Sequence, residues 1–596
     1  MPVEQALGLP SDRRSPNLQR GSVPHATTRA VLIQIPENPQ ALTGATWDDI
    51  APYYERLVVL PVADDQVAEW VSTWSRLEEV VEEAGTLAVI AYTCDTGDAE
   101  KEAANLRWTS EIFPKAAEQQ VRLAKRLLEF GYTQPGLEPT LQNFRTDIEI
   151  FREENVSLFS QLEELTTAYQ KVAGGLVVTW DGEQKTIPQL APYLKEPDRS
   201  VRERAFRAGA AAYLEHKAEL SSLFDRMFDL RQRIAHNAGF ADFQAYAFKS
   251  KHRVDYSPDD VARFHDAVEQ TVTPALSRMM EYRRRRLGVS ELRPWDTQIE
   301  LDTTRPMKPF ADLTGFIEPA KRIFHALDPA LGVQFKRMAD EGLLDLESRA
   351  GKAPGGYCTK LSFRGVPFIF MNAVGVHDDV VTLVHEAGHS FHDFASHAQP
   401  LIWQRSVGHE AAELASMSME LLIAPHLSRP VGYYTPEESR VAQVEQLEDI
   451  LTSLAHIASV DAFQRWIYTS GEGRDSEARD AAWLRIRGRF ERGVDWTGLD
   501  PERVIRWYRQ LHIFEYPFYY IEYGIAQLGA LQIWRESLKD PAGAVARYRR
   551  ALALGGTQGL PDIYRTAGAR LVFDAATMGE LVALVEQRLE ALRQGT

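Results

Sequence analysis

Residues 382–392 read TLVHEAGHSFH, and inside them His385-Glu386-Ala387-Gly388-His389 spells the pattern H-E-x-x-H. On an α-helix, positions i and i+4 lie on one face about one turn apart, so two imidazoles placed there can grip one metal ion. Glu386 projects from the neighbouring strip, close enough to act on a metal-bound water without itself binding the metal. Zn²⁺ suits this nitrogen-and-oxygen set, and a catalytic zinc keeps three protein ligands plus water. The flanking residues support the helix. Asp378 and Asp379 favour its positive end, and Val380, Val384, Ala387, Phe391 and Phe394 recur at helical spacing as a strip to bury. His385, His389 and His392 fall on another face. Gly388 weakens a helix by about 1 kcal/mol relative to Ala; a residue this small between two ligands lets another backbone or a substrate come close. The bare pattern can arise by chance in a long chain, but a match on a capped amphipathic helix is rarer.

A third ligand is expected on the next helix, residues 408–423, GHEAAELASMSMELLI, ended by Pro425. It offers Glu410, Glu413 and Glu420. Glu413 and Glu420 share a face, with Met417 between them. HEAGHSFH followed by AAELAS resembles the zinc peptidases of the thimet oligopeptidase family, most nearly the oligoendopeptidase F branch. That resemblance implies Glu413 as the third ligand and Glu420 as a supporting carboxylate, and it leaves Glu410 to the surface or to a supporting role. Met417 stands where the branch often has Thr, a departure that leaves ligation untouched.

Two segments flank this centre in sequence. Residues 351–372, GKAPGGYCTKLSFRGVPFIFMN, are β-rich, and 360–363 can pair with 366–371 across Arg364-Gly365. An edge strand there would bind an extended peptide through main-chain hydrogen bonds. Cys358 is read as a small buried residue rather than a nucleophile or ligand, since thiol reactivity depends on pKa and exposure. Further on, residues 511–530, LHIFEYPFYYIEYGIAQLGA, place His512, Tyr516, Tyr519 and Tyr523 at spacings that share one helical face, Pro517 notwithstanding. Spacing alone favours an aromatic core strip. The resemblance implies instead a histidine and tyrosines that act on the substrate carbonyl, with His512, Tyr516 and Tyr523 the best matches and Tyr519 also able to point inward.

The 596 residues are 44% hydrophobic and 25% charged, which suits a large globular chain. The net charge of −17, from 84 acidic and 67 basic residues, disfavours nucleic acid and anionic membrane surfaces as partners. Arg283 through Arg286 therefore read as a solvated helix end rather than a phosphate patch. Cys94 and Cys358 imply no disulfide framework and a reducing compartment. The N-terminal MPVEQALGLPSDRR lacks the layout of a signal peptide, and no apolar run approaches the ~18 residues that span a bilayer. A cytoplasmic protein is expected.

Residues 1–27 read as a loosely ordered lead-in. Residues 28–200 read as a helical N-terminal region with a hairpin at 174–187 about Asp181-Gly182, and 201–596 as the catalytic region. The motif DRSVRERAFRA at 198–208 resembles the joint between the family's two regions. The resemblance runs from about residue 120 to the end. It implies a mostly α, two-lobed zincin-type peptidase with small β elements near the site and an enclosed substrate channel. One Zn²⁺ per chain would be held by His385, His389 and Glu413. Glu386 would serve as general base and then acid, with His512, Tyr516 and Tyr523 on the oxyanion. Short unstructured oligopeptides are the implied substrates. A zinc carboxypeptidase is the alternative, separated by whether cuts are internal. A non-catalytic peptide-binding protein is the other, weakened because every expected catalytic residue is present.

Overall fold

Helices dominate because apolar residues recur with helical period through most of the chain. The computed structural model describes residues 33–301 and 307–595; the expected lead-in at 1–27 lies outside the described residues. In the N-terminal part, helices Trp47–Val59, α1 (Val67–Cys94), Phe113–Glu129 and Glu138–Ile150 enclose an apolar cluster built on Trp70, Trp74, Trp108 and Leu123. Leu401 and Trp403, from far along the chain, complete that cluster, and Trp403 packs 4.2 Å from Trp74 between ring centres. The helix Glu153–Gly175 instead sends Leu158, Leu165 and Tyr169 into the larger second core.

The first hairpin forms as its turn residues require. Strand β1 (Val177–Trp180) pairs antiparallel with β2 (Glu183–Thr186), and Asp181 and Gly182 adopt φ of 52° and 88°. Two successive positive-φ residues are what a tight two-residue hairpin turn demands. A second sheet holds β3 (Leu344–Glu347), β4 (Tyr357–Leu361) and β5 (Val366–Ala373) in the order β3-β5-β4. The continuous apolar run of β5 fits its central place, parallel to β3 and antiparallel to β4. β4 lies earlier than the sequence pattern suggests and stops at Leu361. The reason is α1: Glu83 accepts the N–H groups of Phe363 and Arg364 at 2.8 and 2.9 Å, drawing them out of the ladder. The same carboxylate pairs with Arg364 Nε at 2.6 Å, and Arg405 reaches Glu79 at 2.8 Å. The N-terminal part is thus clamped to the β4–β5 turn and to the loop around 401–405.

Helix α2 (His377–Ser396) starts where Asp379 accepts from the N–H groups of Val374, Gly375 and Val376 at 2.8–2.9 Å. It buries Val380, Val384, Ala387 and Phe391 of the strip read from the sequence, while Phe394 is half-buried against the same core. Its other face meets α3 (His409–Leu422). A Cβ on Gly388 would lie 2.5 Å from Ser416 Cα and 2.8 Å from Ala415 O. The close approach expected at Gly388 is therefore to the backbone of α3. The 34-residue α4 (Pro436–Thr469) and α5 (Tyr520–Ser537) close the core behind, where a Cβ on Gly529 would meet Leu414 Cδ1 at 2.5 Å.

Two further expectations need correction. Residues 511–530 do not form one helix. A short turn of helix, Leu511–Phe514, gives way at Pro517, and Phe518 takes φ 61° with its N–H held by Gln464 of α4 at 2.8 Å. The single aromatic face is thereby divided between two segments. Arg283 is not solvated; it turns inward to Glu448 at 2.7 Å, while Arg284 and Arg285 pair with Glu281. Among the described residues no helix is long and apolar enough to cross a membrane.

Gly388→Ala tests the close approach. Helix propensity alone would stabilise α2 by about 1 kcal/mol. The contact with Ser416 predicts the opposite: a lower melting temperature and weaker metal binding by isothermal titration. A raised melting temperature with unchanged metal affinity would contradict it.

Candidate metal centre and active site

The i, i+4 spacing on α2 and the contact at Gly388 bring His385, His389 and Glu413 together. One donor atom from each lies within 4.8 Å of the other two. Glu413 Oε2 is 3.4 Å from His385 Nε2 and 3.9 Å from His389 Nε2. His385 is braced on its opposite nitrogen, where Nδ1 lies 2.7 Å from Glu420 Oε1, and the Ala412 backbone faces His389. Such partners fix ring orientation and raise ligand basicity. Glu413 itself accepts from Ser416 Oγ at 3.2 Å and from the Tyr519 hydroxyl at 3.1 Å.

Electrostatics here favour a cation. Burial works against charge on His385, but Glu413 and Glu420 outweigh it and hold the imidazolium well above its ordinary pKa. Burial likewise opposes charge on Glu413, yet His385 and His389 keep its carboxyl at about 2. His389, pushed down to about 4 by burial and by His385, stays neutral with a lone pair to offer. Two imidazoles and a carboxylate, converging and braced from behind, suit a divalent metal of zinc type, so the residues fit the group.

Glu386 sits beside this set, 9% exposed, its carboxyl pushed up to about 7 by burial and by Glu413. The Cys358 N–H of β4 faces it and opposes that rise. The Cys358 thiol is raised by burial and lies 3.3 Å from Ser390 Oγ, so it is a protonated neighbour rather than a nucleophile. A cavity of about 390 Å³ opens over the centre, lined by Cys358, Lys360, His389, His392, Glu413 and Tyr519 among others.

The remaining sequence-predicted residues separate. Glu410 is not at the surface: it is buried, accepts from the Tyr256 hydroxyl at 2.5 Å and faces Arg253 at 3.8 Å. His512 lies with its ring centre 5.7 Å from Tyr519 and 6.3 Å from Tyr523, and burial with Lys251 nearby brings its pKa down to about 4. Tyr523 packs its ring 5.1 Å from that of Tyr519 between centres, and burial with the charge of Glu413 raises its phenol. Tyr516 is 58% exposed, with its ring centre 6.4 Å from His512. Tyr519, given least weight in the sequence, makes the direct contact with a metal-set residue. The break at Pro517 is the signal that would have moved attention to it.

This scaffold and donor set define a metallopeptidase. The model described as Peptidase family M3 matches residues 192–582, and that of the Peptidase M3 N-terminal domain matches residues 44–138; the chain belongs to peptidase family M3. It is 22% identical over 482 residues to the oligoendopeptidase F homolog of Borreliella burgdorferi, covering 77% of this chain and 78% of that one. It is 24% identical over 402 residues to oligopeptidase PepF of Bacillus subtilis, covering 65% and 57%. The solved structure of PZ peptidase A with inhibitor 2 superposes with TM-score 0.81 at 27% identity, covering 94% of this chain and 98% of that one. Oligoendopeptidase-F from Enterococcus faecium shares the fold at TM-score 0.64, 16% identity and coverage of 94% and 99%.

Glu413→Gln should lower bound metal by elemental analysis far more than Glu410→Gln, whose carboxylate serves Tyr256 and Arg253. Glu420→Gln should weaken metal affinity by about 10–100-fold through loss of the His385 brace. A metal deficit in Glu410→Gln alone would overturn the ligand assignment.

Proposed function

We propose that this peptidase is a zinc endopeptidase that cuts internal bonds of short, extended peptides, with Glu386 as the proton carrier. The observation that carries the reading is the convergence of His385, His389 and Glu413 donor atoms within 4.8 Å, with Glu386 alongside. Zinc bound there supplies Lewis acidity, lowering the pKa of water towards ~7 and polarising a carbonyl. Glu386 accepts the proton of the attacking water and passes it to the leaving amine, with the Cys358 N–H facing its carboxylate. His512 and Tyr523 donate to the carbonyl oxygen as charge develops, Tyr516 joins from the rim, and Tyr519 orients Glu413.

Among the described residues β4 is an edge strand, paired only with β5, so a peptide laid along it gains main-chain hydrogen bonds whatever its sequence. The clamp that ties α1 to the β4–β5 turn holds the N-terminal part against the sheet that precedes the metal helix, which supports an enclosed channel that admits extended chains and excludes folded proteins. Internal cleavage separates this reading from end-trimming, and product analysis on a mid-length peptide decides it. The two free cysteines, Cys94 and Cys358, support a reducing, cytoplasmic setting.

Glu386→Gln should keep its metal and lose roughly 10²–10⁴-fold in kcat; near-normal turnover would remove Glu386 from the mechanism. Tyr523→Phe should lose on the order of 10²–10³-fold in kcat with little change in melting temperature. Tyr519→Phe should chiefly weaken metal binding. Wild-type kcat in Tyr523→Phe would make the aromatic group structural.

A further inference from the structure

His512 carries a neutral imidazole, and the nitrogen that bears its proton decides whether it can donate to a substrate oxygen. A hydrogen-bonded chain reaches it from behind. Arg487 Nη1 lies 3.1 Å from His456 Nδ1, His456 Nε2 lies 3.0 Å from Gln510 Oε1, and Gln510 Nε2 lies 3.1 Å from His512 Nδ1. The polarity of every link follows from the first. A guanidinium has only donors, so His456 Nδ1 accepts. Burial and the cations around His456 keep it neutral, so its single proton is on Nε2. That proton needs an acceptor, which sets the Gln510 amide with its oxygen towards His456. The amide nitrogen then faces His512 and donates to Nδ1. The remaining proton of His512 is on Nε2, on the far side of the ring.

The chain is anchored at both ends. Arg487 is buried and also bonds Glu491 at 2.6 Å, a carboxylate that further holds Arg503 at 3.1 Å and Arg506 at 2.6 Å. The Tyr520 ring packs edge-on against both imidazoles, with centres 5.6 Å from His456 and 4.6 Å from His512.

We propose that Arg487, His456 and Gln510 are positioning residues that lock His512 in the Nε2–H tautomer, so that it presents a donor to the carbonyl oxygen of the peptide. This rests on the reading of His512 as a carbonyl-directed donor. None of the three touches the metal ligands in the structure; they act through His512, from a cavity of about 510 Å³ that His456, Arg487 and Gln510 line.

The test uses the metal-loaded enzyme. His512→Ala should lose about 10²–10³-fold in kcat; a wild-type kcat would remove His512 from the chemistry, and the reading beneath this inference with it. Gln510→Leu deletes both amide bonds at similar volume. Gln510→Glu sets a carboxylate opposite Nδ1 and so demands a proton there. Both should lose about 10-fold or more in kcat with KM within about twofold. Only Gln510→Glu should recover relative to wild type as pH falls, because its carboxylate raises the pKa of His512 against the burial that lowers it, and the imidazolium bears protons on both nitrogens. Lys251, Glu413 and the neighbouring tyrosines also face His512, so the comparison is of variant to wild type at each pH. Nitrogen-15 NMR of labelled histidines, with His512 assigned by its loss in His512→Ala, should show Nε2–H in wild type and a protonated Nδ1 in Gln510→Glu. Impaired His512→Ala beside Gln510 variants with wild-type kcat and unmoved ¹⁵N shifts would overturn the relay while leaving the role of His512 intact.

Discussion

The backbone of α3 lies so close to Gly388 that one added carbon would meet Ser416 Cα at 2.5 Å. That contact sets the distance between a helix carrying two histidines and a helix carrying a glutamate. A larger residue at 388 would press the two helices apart and draw Glu413 away from the imidazoles. The glycine weakens α2 locally, by about 1 kcal/mol, and burial of the α2 and α3 apolar faces offsets this. A helix-propensity rule is broken at the position where the proposed metal set needs close helices, a pattern expected at functional sites.

Around that contact the charges form a layered arrangement. Glu413 faces the histidines, and Glu420 stands behind His385 at 2.7 Å. Glu410, on the same helix, is neutralised elsewhere by Arg253, itself paired with Glu522 at 2.6 Å. Three glutamates on one helix thus have three environments, and only one turns to the metal set. Tyr519 donates its hydroxyl proton to the Glu413 carboxylate, and Ser416 shares its one proton between that carboxylate and the Glu413 backbone carbonyl, which orients the side chain. The N-terminal part contributes from above, through Glu83 on the β4–β5 turn and Glu79 on Arg405.

Much of this was legible in the chain. The helix, its buried strip and the pairing of His385 with His389 follow from residue spacing, and so does the value of a small residue at 388. The choice of Glu413 over Glu410 did not follow from spacing; it came from resemblance, because the partners of Glu410 lie on a segment more than 150 residues upstream. The aromatic segment misled for a physical reason. Helical spacing presumes a helix, and Pro517 with a left-handed Phe518 breaks it, so Tyr519 rather than Tyr516 meets the metal set. The Arg487–His456–Gln510 chain was invisible, since its members come from three separate segments and none carries a motif.

The central claim is that two imidazoles and one carboxylate, with no sulfur, hold the metal. X-ray absorption at the zinc edge of the metal-loaded protein tests it directly. The account predicts a first shell of nitrogen and oxygen at ~2.0–2.2 Å, with the outer-shell scattering of two imidazole rings. A sulfur scatterer at ~2.3 Å, which would bring Cys358 into the shell, or an all-oxygen shell without imidazole scattering, would contradict it.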